Sequence, residues 1–75
     1  MGMARAAITR MEGRTLYLHL LDEMGATIVA QSPKVNGLDA EYFGLDSVDT
    51  IRIDICQGED ISELKKGYVV TVSWR

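Results

Sequence analysis

The sequence predicts a mainly β domain, folded as a small five-stranded antiparallel barrel or a strongly curled sheet. In residues 50–56 (Thr-Ile-Arg-Ile-Asp-Ile-Cys), three isoleucines alternate with polar residues, which is the period of a half-buried strand. The glycines after Gly2 all fall at the boundaries of predicted elements. A hydrophobic content of 47% excludes a disordered chain.

The 75 residues predict one domain, spanning 1–75, with a small core. We interpret residues 1–2 as vector-derived, ahead of a native initiator at Met3, and leave them out of the predicted fold. Cys56 is the only cysteine, so no intrachain disulfide can form, which fits a reducing compartment. The sequence shows neither an apolar run long enough to span a bilayer nor a signal-peptide pattern. We therefore expect a cytoplasmic protein.

Three strands are predicted in the first half of the chain, at residues 6–12, 15–21 and 26–31, and their short connections favour an antiparallel meander. The second strand alternates clearly, so its two faces can be assigned. One face carries Leu16, Leu18 and Leu20, and the other carries Thr15, Tyr17, His19 and Leu21.

The second half is less regular. Residues 38–43 fit either one helical turn or a short edge strand. Residues 60–67 predict a short helical turn, because Asp60 can cap its first residues and a glycine follows its last. The apolar contacts of that turn are assigned to Ile61 and Leu64. The last strand is predicted at 68–74, with Tyr68, Val70, Val72 and Trp74 on its inner face.

Two small-barrel architectures fit this order of elements by analogy, without implying family membership. An OB-like barrel has a helix between strands three and four, as residues 38–43 suggest. An SH3-like barrel has a helical turn before its last strand, as residues 60–67 suggest. Both architectures host many unrelated functions, so function has to be argued from particular residues.

Charge is unevenly distributed along the chain, whose net charge is −3. Residues 3–38 carry four basic and three acidic side chains, whereas residues 39–75 carry four basic and eight acidic ones. A general nucleic-acid binder usually shows a basic excess, because neutralising phosphates supplies most of its non-specific affinity. This balance favours a protein partner over nucleic acid.

The sequence gives little support for a catalytic site or a metal site. His19 and Cys56 are the only residues of their types, so the usual zinc ligands are missing. They would suit a base and nucleophile, but the sequence offers no oxyanion-hole loop. The acids match no calcium loop, and so small a domain leaves little room for a pocket of several hundred Å³. We expect a non-enzymatic protein without metal, cofactor or small-molecule substrate.

The leading functional hypothesis is a protein-interaction module that binds a partner, or a second copy of itself, through the outer face of its first three strands. Large apolar residues remain on that face once the core is filled, and a solvated monomer tends to avoid such patches. The alternative is that curling brings some of them into the barrel. The predicted interface comprises Met11, Tyr17, His19, Leu21, Val29 and Val69.

The alternative function is a nucleic-acid-binding barrel. Tyr17 and His19 would stack on bases, and the nearby cations would follow the phosphate backbone. The cations assigned to this role are Arg5, Arg10, Arg14 and Lys34. Trp74 is expected in the core instead, because tryptophan is usually well buried.

Overall fold

The computed structural model describes residues 2–22 and 32–75. Within them the chain forms a closed barrel of six antiparallel strands, and no helix is present in these two ranges. It follows that none of the described residues belongs to a helix long and apolar enough to cross a membrane. The strands are β1 (Gly2–Glu12), β2 (Thr15–Leu20), β3 (Lys34–Val35), β4 (Leu38–Leu45), β5 (Thr50–Ile55) and β6 (Val69–Trp74).

Around the barrel the strands follow the order β1-β2-β5-β4-β3-β6, and β6 pairs with β1 to close it. Strands β3, β4 and β5 are joined consecutively, while β6 returns beside β3, which is a Greek-key arrangement. The predicted small antiparallel barrel is confirmed, with six strands in place of five.

The predicted meander differs from the observed pairing. β1 and β2 form the expected hairpin, but the second edge of β2 is paired with β5 from Thr15↔Asp54 to His19↔Thr50. In a meander, strands that are adjacent in sequence pair with each other. Here β5, the isoleucine strand, pairs with the second edge of β2 instead. The third strand predicted at 26–31 lies outside the described residues.

The core contains the faces that alternation predicts. Leu16, Leu18 and Ile53 are fully buried, and Trp74 is 6% exposed, as expected of a core residue. The predicted core residue Ile28 lies outside the described residues. The complete buried cluster is Ala4, Ala6, Ile8, Leu16, Leu18, Leu20, Val35, Ala40, Ile51, Ile53, Ile55, Leu64, Val70, Val72 and Trp74.

The two candidate helical segments are both non-helical. Residues 38–43 belong to strand β4, and the helical turn predicted at 60–67 is wrong. The Asp60 carboxylate accepts a hydrogen bond from the Ser62 amide at 2.9 Å, as a cap would, but the residues that follow form turns and not a helix. Ile61 and Leu64 nevertheless pack on the core, as predicted. The segment that suggested the helix of an OB-like barrel is therefore a strand. The segment that suggested the helical turn of an SH3-like barrel is a set of turns.

The ends of the barrel also differ from expectation. β1 begins at Gly2, which pairs with Trp74, so Gly2 is part of the fold. A Cβ at that position would clash with the Trp74 ring, so the close approach of strand and ring requires glycine. Tyr68 precedes β6 and is half exposed, so it does not join the inner face to which the sequence assigned it.

Candidate protein-binding face

Two β-bulges lie at the same level of the barrel, one on each side of the β2–β5 pair. In β1, Thr9 is the extra residue between Ile8 and Arg10, so that Arg10 stands opposite Tyr17. In β4, Phe43 is the extra residue between Tyr42 and Gly44, and Gly44 stands opposite Arg52. Bulges redirect side chains and often occur beside functional sites. We name the outer-surface group Arg10, Tyr17, Phe43 and Arg52 the arginine–aromatic patch.

Tyr17 lies at the centre of the patch and is fixed from several directions. The Arg10 guanidinium lies over its ring, 4.4 Å from the centroid. Its hydroxyl lies 3.4 Å from Glu12 Oε1, and its backbone carbonyl accepts a hydrogen bond from the Thr9 hydroxyl at 3.1 Å. Although its surface is partly open to solvent, the ring therefore keeps a defined position.

Arg10 and Glu12 form an ion pair with a nitrogen–oxygen distance of 2.8 Å. The hydrogen bond from Arg10 lowers the pKa of the Glu12 carboxyl, and the same pair raises the pKa of Arg10. Both groups are thus charged near neutral pH, and together they contribute no net charge to the patch.

On the other side of Tyr17 lie Arg52 and Phe43. Tyr17 and Arg52 are direct cross-strand partners, and the Phe43 ring is 51% exposed. A shallow depression of about 260 Å³ separates the two aromatic rings. It is lined by Glu12, Thr15, Tyr17, Phe43, Arg52 and Asp54.

The predicted interface residues fall into three groups. Tyr17 and His19 share the outer face of β2, and the pairing of Ala7 with both His19 and Val69 places Val69 on the same outer surface. Leu21 follows β2 and is 45% exposed. Its amide donates a hydrogen bond to the carbonyl of Arg5. Met11 is half buried against the core, and Val29 lies outside the described residues.

The four cations assigned to nucleic-acid binding do not form a continuous basic track. Arg5 faces Asp22 at 3.5 Å, and Lys34 pairs with Asp39, which raises the pKa of the lysine. Arg14 donates hydrogen bonds to the carbonyls of Cys56 and Glu59 and fastens the segment after β5 to the barrel. Arg10 lies over the partly buried ring of Tyr17.

His19 and Cys56 are not brought together. His19 pairs with Thr50 at the beginning of β5, whereas Cys56 follows the end of that strand, about 20 Å away at the usual rise per residue. His19 instead lies 3.5 Å from Asp49. Among residues 2–22 and 32–75, no cluster of three potential metal ligands is present.

A larger cleft of about 630 Å³ lies beside the paired ends of β1 and β6. The Trp74 ring and the Lys34–Asp39 pair contribute to its walls, and its lining includes Ser32, the first described residue after 23–31. Because Lys34 is neutralised by Asp39, the lysine does not supply the cleft with an uncompensated charge.

Sequence reasoning found Tyr17 and Arg10 but missed the other half of the patch. Alternation placed Arg52 on the outer face of its strand, yet only the β2–β5 pairing brings it to Tyr17. Phe43 was missed because its bulge interrupts the alternation of β4. No protein-family model, curated protein or solved structure matches this chain.

Proposed function

We propose that this chain is a small, non-enzymatic, cytoplasmic protein-interaction module that binds its partner through the outer face of β1 and β2, with Tyr17 as the central anchor. The observation that carries the proposal is the position of the partly buried Tyr17 ring, which contacts Arg10 and Glu12 while Thr9 holds its backbone. A side chain that is ordered before binding loses little conformational entropy on association. Tyrosine and arginine are also the residue types that most often dominate binding energy.

The chemistry around Tyr17 favours a protein partner. Interfaces are enriched in aromatic residues, methionine and arginine relative to the remaining surface. The arginine–aromatic patch has that composition, and Leu21, His19 and Val69 extend the same outer surface across β2, β1 and β6. The Arg10–Glu12 pair provides polar contacts without a strong net charge.

The test is affinity capture of partners from the native lysate, with nuclease present, using the wild-type chain and Tyr17→Lys. Tyr68→Lys is the control for placing a lysine at a surface tyrosine, because Tyr68 is 50% exposed and lies two strands away from Tyr17. A partner retained by the wild type and by Tyr68→Lys, and lost from Tyr17→Lys, supports the proposal. A set of bound proteins that is the same for all three variants overturns it.

Self-association is the second form of this proposal, and light scattering during gel filtration distinguishes it. If the partner is another copy, the wild type and Tyr68→Lys are dimers at micromolar concentration and Tyr17→Lys is a monomer. Circular dichroism shows whether each variant is folded. Loss of folding in Tyr17→Lys would show that the ring is structural, contrary to its partial exposure.

Nucleic-acid binding remains a second candidate, because Tyr17 lies between two arginines, Arg10 and Arg52, as a stacking platform requires. It is less favoured because Arg10 is paired with Glu12, and a second acid, Asp54, lines the same depression. Fluorescence anisotropy with labelled single-stranded DNA and RNA tests it. Binding that weakens steeply with added salt and is lost in Tyr17→Lys would favour this candidate.

A further inference from the structure

Arg52 is the one charged side chain lining the depression that has no hydrogen-bond or ion-pair partner among the described residues. Glu12 is engaged by Arg10 at 2.8 Å. Asp54 accepts a hydrogen bond from the Thr15 hydroxyl at 2.7 Å. The Arg52 guanidinium thus retains its hydrogen-bonding capacity and its positive charge for another molecule.

The surroundings of Arg52 leave its guanidinium accessible. Its partner on β4 is Gly44, which has no side chain to cover it, and nothing lies within 4 Å of the space that a Cβ there would occupy. Its partner on β2 is Tyr17, and Phe43 lines the same depression. The exposed Arg52 therefore lies on the strand between the partly buried Tyr17 and the exposed Phe43, and all three line the depression.

This arrangement selects a particular chemistry. A guanidinium binds a carboxylate through two parallel hydrogen bonds, and aromatic rings bury apolar groups. A phosphodiester backbone would bring several anionic groups close to Glu12 and Asp54, whereas a single carboxylate between apolar side chains places one charge at Arg52. Adjacent strands lie about 5 Å apart, so the three contacts span about 10 Å, which a few residues of extended chain can reach.

We propose that Arg52 binds the side-chain carboxylate of an aspartate or glutamate in an extended segment of the partner protein. Apolar residues on either side of that acid pack on Tyr17 and Phe43. This inference rests on the proposed protein-binding function and specifies the sequence that the partner presents.

The test is selection from a random peptide library displayed between fixed flanking sequences, so that no free carboxyl terminus is offered. The baits are the wild type, Arg52→Glu, and Lys66→Glu as a charge-matched control in an exposed turn. We expect the wild type and Lys66→Glu to enrich an acidic residue flanked by apolar ones, and Arg52→Glu to enrich lysine or arginine instead. In a selected synthetic peptide, replacing the acid by its amide should weaken binding by about tenfold.

Three results of the selection would overturn the inference. They are enriched peptides without an acid, an acidic preference that survives in Arg52→Glu, and no enrichment by the wild type. Displacement of a selected peptide by single-stranded DNA, with direct DNA binding lost in Arg52→Glu, would assign the guanidinium to phosphate and also overturn it. The proposed function is tested separately, by the affinity capture that compares the wild type with Tyr17→Lys. Failure of the peptide selection is therefore distinguishable from failure of the proposed function. The NMR spectrum of the backbone amides shows whether Arg52→Glu is folded. If that variant does not fold, Arg52→Gln takes its place in the selection.

Discussion

Arg14→Gln should destabilise the barrel, although the sequence presented Arg14 as a candidate phosphate contact. Its guanidinium donates to the carbonyls of Cys56 at 3.1 Å and Glu59 at 2.9 Å, and these contacts are partly buried. Hydrogen bonds from a charged donor contribute about 1.5–3 kcal/mol each, and partial exposure reduces that value. We expect a total loss of about 1–3 kcal/mol. A domain of 75 residues has about 4–11 kcal/mol of stability, so this loss is readily measured.

The assay is urea unfolding followed by the fluorescence of Trp74, the single and buried tryptophan. Arg10→Gln is the matched control, because it removes the same group from an exposed ion pair. Arg14→Gln should unfold at a clearly lower urea concentration with an unchanged slope, whereas Arg10→Gln should unfold close to the wild type. Equal midpoints for Arg14→Gln and the wild type would refute the structural role of Arg14.

Two further predictions concern the edges of the patch. Gly44→Ala should cost about 1–3 kcal/mol and exceed the cost of Gly13→Ala, because the φ of 128° at Gly44 is less accessible to alanine than the φ of 59° at Gly13. Urea unfolding of the two variants gives the ranking, and the reverse order would contradict it. The Glu12 carboxyl should titrate below its ordinary pKa, so its pair with Arg10 stabilises the fold above that ordinary value and is lost as pH falls through the lowered one. Carboxyl ¹³C NMR should show the Glu12 pKa returning toward its ordinary value in Arg10→Gln, and a pKa unaffected by that change would exclude Arg10 as the cause.

Strand existence could be predicted wherever alternation is regular. Residues 50–55 and 15–20 each bury one face and leave the other partly or fully accessible, so the period of two identifies both the strand and its core side. Strand β4 remained ambiguous, because Leu38 and Tyr42 are four residues apart and could share one face of a helical turn as well as one face of a strand. The start of β1 was missed because alanines and a glycine fill its inner positions and give little hydrophobic contrast.

Local sequence signals were less reliable where a helix and an isolated turn share the same residue spacing. Ile61 and Leu64, three residues apart, fit one turn of helix, but the same spacing also suits a single hydrogen-bonded turn, from the Leu64 amide to the Ile61 carbonyl at 3.0 Å. Both residues still reach the core, since the apolar contact does not depend on helix formation. The hydrogen bond from the Ser62 amide to the Asp60 carboxylate caps a turn as well as it caps a helix, so this local signal does not distinguish the two.

The candidate site could be predicted only in part, because strand neighbours distant in sequence assemble it. Tyr17 and Arg10 belong to one hairpin, so their proximity follows from a local connection. Arg52 and Phe43 reach them through the β2–β5 and β4–β5 pairings, and the first of these joins segments that β3 and β4 separate in the sequence. Nothing in the local pattern of residues 50–55 specifies which strand lies beside it.

The pairing of β1 with β6 has a consequence for how the chain folds during synthesis. Gly2 to Ala7 find their partners in Val69 to Trp74, so this edge of β1 stays unpaired until β6 has been synthesised. At typical translation rates this interval is on the order of several seconds, much longer than a hairpin needs to form. During that interval one edge of β1 offers unpaired amides and carbonyls to any neighbouring nascent chain. The arrival of β6 therefore sets the time at which the barrel closes, however fast the local hairpins form.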